Sequence, residues 1–259
     1  MLFLRSTLAI GLLALAASAP APQFVRVRYP PGSLHGFLTV RALDGTIVGD
    51  GDLVQTVSGD RVTGHTTFRL HDGSVNDETA VFSTRGSFRL VSYTLVQRGA
   101  AFEHPLTLEI AMATGKVVVR SQDEHGAEKV DEQTMKLPPD LANGLLITLL
   151  QNVAPGDLPL TVPMLVATPG VRIVTLVATN AGSAPFETGR TKHSAIDYFV
   201  KTNIGGIAGV VAPLVGKAPP DVHVWILPGA APAFVKSEAP LAAGGQVLRT
   251  ELASPEWPR

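Results

Sequence analysis

Hydrophobic and polar side chains alternate with a period of two along much of this chain. Residues 61–71 show the pattern over a full strand. Val62, Thr66, Phe68 and Leu70 fall on one side; Arg61, Thr63, His65, Thr67, Arg69 and His71 fall on the other, as the pleat of a β-strand requires. Shorter runs of the same kind cover residues 25–29, 38–42, 81–82, 88–97, 106–111 and 116–120. Turn dipeptides punctuate them at Asp72-Gly73, Arg85-Gly86, Arg98-Gly99 and Thr114-Gly115. Short strands joined by tight turns predict an antiparallel meander in a barrel or sandwich. The pattern resumes at residues 171–179, 195–203, 222–227, 233–238 and 246–252.

Between these halves the period changes. Leu137-Pro138-Pro139-Asp140 ends an extended piece and opens a helix over residues 141–152, with Pro139 and Asp140 suited to its first turn. Leu141, Leu145 and Leu149 form one stripe, flanked by Leu146 and Leu150. Gly144 weakens the helix by about 1 kcal/mol relative to alanine, so tertiary packing must hold it. Pro155-Gly156 stops it. No flexible linker and no internal repeat separates the halves. The expected fold is mainly β: an antiparallel curved sheet, half-barrel or open barrel, with one central helix at about 140–152 as plug or lid. Residues 19–259 are read as one domain, with two small domains as the alternative.

The start of the chain says where it goes. Arg5 precedes the apolar run Leu-Ala-Ile-Gly-Leu-Leu-Ala-Leu at residues 8–15, and small residues follow. That run is too short to span a bilayer and has the form of a secretory signal peptide. Pro20 and Pro22 argue against cleavage after Ala19 or Ala21, so cleavage is expected after Ser18. The mature protein is then exported, to a periplasm or to the medium. The 259 residues contain no cysteine, which excludes disulfides, a lipid-modified cysteine, thiol catalysis and zinc–cysteine sites. Stability must come from the core, which a chain of this length can supply by burying roughly 70–75% of its unfolded surface. The full chain carries 21 basic and 22 acidic side chains, and loss of the leader with Arg5 leaves 20 against 22. Bulk charge therefore predicts no nucleic-acid partner, and no later segment is long and apolar enough for a transmembrane helix.

Catalytic and cofactor motifs are missing. The chain has neither Gly-x-Ser-x-Gly nor His-Glu-x-x-His. Val215-Gly216-Lys217-Ala218 fails as a phosphate loop, because Val211 replaces the upstream glycine and Ala218 the magnesium-binding hydroxyl. No cofactor is expected. Asp72, Ser74 and Asn76 have the opening spacing of a calcium loop, but Asp77 stands where glycine is needed and Ser83 where the bidentate glutamate belongs. This stretch reads as a polar turn, and the acidic residues between Asp123 and Glu132 read as a solvated hairpin tip.

Two stretches are candidates for binding. Arg61, His65, Arg69 and His71 share one strand face and suit an anionic head group if that face lines a cavity; otherwise they form the solvent face of a sheet. Residues 204–220 are rich in glycine, proline and apolar side chains, with Lys217 the sole charge before Asp221. They suit a flap over an apolar cavity, through Ile207 and Val211, or a buried connection. Trp225 reads as core or as the edge of a pocket. From the helix, Leu141, Leu145 and Leu149 are candidates to face an apolar ligand.

Three stretches carry a resemblance: Leu-Pro-Pro-Asp-Leu-Ala-Asn-Gly-Leu-Leu at 137–146, Asn-Ile-Gly-Gly-Ile-Ala-Gly-Val-Val-Ala-Pro-Leu-Val-Gly-Lys at 203–217, and Pro-Pro-Asp-Val-His-Val-Trp-Ile at 219–226. Together they resemble a family of uncharacterised exported bacterial proteins, and no activity follows from that resemblance. In architecture alone the expected fold is similar to periplasmic lipoprotein carriers, which are half-barrels plugged by helices. The first expectation is a non-enzymatic exported binding or carrier protein for a lipid, acyl chain or other apolar small molecule. The alternatives are a structural envelope protein with a protein partner, and a metal-independent hydrolase using histidine and carboxylates, for instance His71 with Asp72 or Asp77.

Overall fold

A computed structural model describes residues 21–123, 125–167, 170–188, 191–204 and 219–253. Fourteen strands run through them. The first eight are β1 (Leu34–Ala42), β2 (Ile47–Ser58), β3 (Arg61–Leu70), β4 (Val75–Ser83), β5 (Arg89–Arg98), β6 (Leu106–Ala111), β7 (Lys116–Gln122) and β8 (Glu128–Thr134). After the helix α1 (Leu146–Asn152) come β9 (Leu160–Val166), β10 (Arg172–Thr188), β11 (Thr191–Asn203), β12 (Val222–Leu227), β13 (Ala233–Pro240) and β14 (Val247–Leu252). They form one continuous sheet in the order β8-β7-β6-β5-β4-β3-β2-β1-β14-β13-β12-β11-β10-β9. Every neighbouring pair is antiparallel, including β1 with β14, where Leu38 lies opposite Leu252. β8 and β9 are edges that do not pair with each other, so the sheet stays open. The expected fold class, a mainly β open antiparallel sheet with one helix, is the one observed.

Several elements differ from expectation for physical reasons. Residues 25–29 form only an isolated bridge, Arg26 to Ser87. β2 gives no periodic signal because two of its inward positions are glycines: a Cβ on Gly51 would lie 2.8 Å from the Phe68 ring, and one on Gly49 only 2.4 Å from the Arg69 carbonyl. β8 reads as a polar tip in sequence because it is an exposed edge, and its charges discourage further strand pairing. The helix starts at Leu146, five residues later than expected. Gly144 has φ +69°, a left-handed conformation that a right-handed helix cannot pass through.

Antiparallel order places alternate turns at alternate ends of the sheet. One end is plugged. There the segment before β1 bonds to the β4–β5 turn, with Val27 N–H donating to Gly86 O and Phe88 N–H to Val25 O. Asn152 at the end of α1 accepts from the backbone N–H of Arg28 and Tyr29, and Gln151 donates to Pro232 in the β12–β13 turn. Leu141, Leu145, Leu149 and Leu150 pack here with Val62, Phe82, Phe88, Ile110, Leu160 and Val162. At the other end, the mouth, lie the β1–β2, β3–β4, β5–β6 and β13–β14 turns. The last of these reaches across to β5, where Gln97 Nε2 donates to Leu241 O.

Candidate functional site

The even-numbered residues of β3 face inward and the odd-numbered ones outward, as the sequence indicates. On the outer face, Arg69 Nη1 donates to Asp52 Oδ2 at 3.0 Å, and His35 Nε2 lies 3.3 Å from Asp52 Oδ1. Thr67 Oγ1 donates to Asp77 Oδ2 at 2.8 Å, and His65 Nε2 lies 2.9 Å from the same oxygen. Burial acts to raise the Asp77 carboxyl, but the hydrogen bonds from Thr67 and His65 and the positive charges of His65 and Arg98 outweigh it and hold it below the usual range. This constellation is not a nucleophile relay. A relay needs one ring nitrogen on the carboxylate and the other on the hydroxyl. Here Nε2 meets both, at 2.9 Å and 3.3 Å, and the Thr67 proton is given to Asp77.

The four face residues are therefore not brought to one point. Arg61 sits at the plugged end of β3, while His71 stands about 33 Å away along the strand at the mouth. Arg69 and His65 are held by carboxylates between them. Trp225 is also on the outer side. Its ring lies under the Lys236 ammonium at 4.2 Å and stacks at 5.4 Å on His223, whose Nδ1 is 2.9 Å from Asp197. Leu141, Leu145 and Leu149 are core residues at 1%, 2% and 4% exposure. Ile207 and Val211 lie outside the described residues.

The mouth holds a cleft of about 570 Å³, lined on its apolar side by Ile47, Leu70, Phe102, Leu241 and Leu248 and on its polar side by His71 and Asp72. Local chemistry builds its rim. Asp72 Oδ1 accepts the Ser74 N–H at 2.8 Å, which folds the β3–β4 turn. Ser74 Oγ accepts the Ala101 N–H at 2.9 Å and ties that turn to the β5–β6 connection. Asn76 turns inward to accept from Gln97. Asp72, Ser74 and Asn76 are thus used up in turn and core bonding, in keeping with the polar-turn reading, and no group of three or more metal-binding side chains occurs among the described residues.

Two inward groups carry no signal in the sequence. Glu78 accepts a 3.2 Å hydrogen bond from the Tyr93 hydroxyl. Burial pushes the Glu78 carboxyl above its ordinary range and the Tyr93 hydroxyl well above its own. Arg172 opens β10 opposite Val166. A period-two reading of β4 separates Glu78 from Asp77, but only the tertiary fold says which of the two points inward. Tyr93 likewise faces inward, opposite Ala80.

The class of protein that fold and site define is an open, barrel-like antiparallel sheet, plugged at one end and indented by an apolar cleft at the other. No family model and no curated protein matches the chain. Among solved structures it is similar to a β-barrel-like protein of domain of unknown function DUF1849 from Brucella abortus, at 13% identity and a TM-score of 0.44, over 90% of this chain and 98% of that one. It is also similar to a protein with a YmcC-like fold from Bacteroides fragilis, at 10% identity and a TM-score of 0.34, over 89% and 98% of the two chains. Neither is described as a lipoprotein carrier, and at these scores neither says what this chain does.

Proposed function

We propose that the mature chain is an exported, non-enzymatic binding protein for an apolar small molecule such as a lipid or acyl chain. The observation that carries this reading is the cleft at the mouth, large enough at about 570 Å³ for a small ligand and walled mainly by apolar side chains. Leu141, Leu145 and Leu149 fill a solid core rather than facing a ligand from the helix, so the reading rests on the mouth alone. The leader-like apolar run at residues 8–15 supports export.

The test is native mass spectrometry of protein purified from an exported expression without detergent, followed by organic extraction. The expected result is a protein mass that starts at Ala19, with a reproducible adduct that extracts as lipid. A clean mass with no uptake from offered lipids overturns the binding reading and favours a structural role in the envelope. An uncleaved leader overturns export.

A further inference from the structure

Arg172 is an unusual arginine in this protein. Four of the other described arginines, Arg41, Arg69, Arg120 and Arg249, stand on the outer face in ion pairs with carboxylates. Arg172 shares the inward side of β10 with Val174, Leu176 and Ala178, which are 2%, 4% and 1% exposed. Its Nε is shielded from solvent and has no hydrogen-bond partner. Among the described residues no carboxylate pairs with it. Arg172 as a whole is half-buried, and a shielded N–H left without an acceptor calls for a specific explanation.

Its position supplies one. Arg172 begins β10, directly after the β9–β10 turn. Antiparallel order through β11, β12 and β13 puts that turn at the same end as the β13–β14 turn, which contributes Leu241 to the apolar cleft. Arg172 is not among the residues that line the cleft, but it stands at the same end of the sheet.

We propose that Arg172 binds the acidic oxyanion head, carboxylate or phosphate, of an amphiphile whose apolar chain occupies the mouth. This rests on the binding reading above and adds the charge of the ligand. The planar guanidinium fork matches both oxygens of such a head and would satisfy the orphaned Nε–H. Arg172 is a binding residue in this scheme, and no bond is made or broken.

The test compares dodecanoate, dodecyl phosphate and dodecanol binding to the delipidated mature protein by equilibrium dialysis below their aggregation limits. At least one acidic probe is expected to bind tenfold or more tighter than dodecanol, and the better of the two identifies the head group. Arg172→Gln should remove that advantage while leaving dodecanol binding within about twofold, and Arg172→Lys should fall between. Ligand-free Arg172→Gln should melt no lower than the wild type, because the lost group had no partner. Equal binding of all three probes, or unchanged acid preference in Arg172→Gln, overturns the assignment and leaves the binding reading intact. Failure of every probe to bind overturns both. Should Arg172→Gln not fold, Arg172→Met takes its place in the same comparison, with loss of the acid preference expected and an unchanged preference overturning the assignment.

Discussion

At the scale of single residues, Glu78 and Gly144 mark where the plug meets the sheet. Glu78 lies on the inward side of β4 with Ala80 and Phe82. Burial raises its carboxyl, and the Tyr93 hydrogen bond opposes this without cancelling it. A raised carboxyl favours the protonated form in the fold. Its contribution is fully present below the unfolded pKa and is lost as pH rises through the folded value. Glu78→Gln, which stays neutral, should therefore melt higher than the wild type at pH 7, with the gap closing toward pH 4. Thermal melts across that window check this, and a gap constant in pH would refute it. A Cβ on Gly144 would lie 2.6 Å from Ala80 Cβ and 3.1 Å from Glu78 Oε1, at φ +69°. Gly144→Ala should cost about 1–2 kcal/mol from the left-handed backbone alone, and more from the contact. Urea unfolding should show a lower midpoint.

At the scale of elements, α1 has seven residues, too few to be stable alone. Its place is fixed by side-chain bonds at its C-terminal end and by leucines on both sides of its start. The segment before it does a strand's work without being one. Ala142 N–H donates to Pro163 O, and the Asn143 side chain both donates to Leu165 O and accepts from Leu165 N–H, each at 2.9 Å. Gln23 Oε1 accepts the Thr161 N–H at 2.7 Å. The β9 edge is thereby covered, whereas the β8 edge is protected by charge. Asn143→Ala leaves two buried backbone groups of β9 unpaired, at a cost of about 1–3 kcal/mol for each. It should lower the melting temperature and produce concentration-dependent association, read by light scattering. A purely monomeric variant of unchanged stability would show that Asn143 does not seal the edge.

At the scale of the whole molecule, the pairing of β1 with β14 joins the two halves and bends fourteen strands around one interior. Arg41 and Glu251, 210 residues apart in sequence, become partners across that seam. One end of the interior fills with the plug and the other keeps a cleft, which is why the candidate site lies among turns far apart in the chain. The local features are legible in the linear chain. Alternation in β3 needs only the pleat, and Asp72-Gly73 needs only the turn preference of its two residues. The leader-like apolar run at residues 8–15 and the absence of cysteine are likewise properties of the sequence by itself. The tertiary structure decided what depends on distant partners. It decided that Gly49 and Gly51 belong to a strand, because Phe68 and Arg69 press against them. It decided that Leu141 fills a core, that Glu78 faces inward while Asp77 faces out, and that the Arg172 Nε finds no acceptor among the described residues. Period and turn chemistry act over a few residues, whereas burial and pairing depend on which far segment arrives beside them.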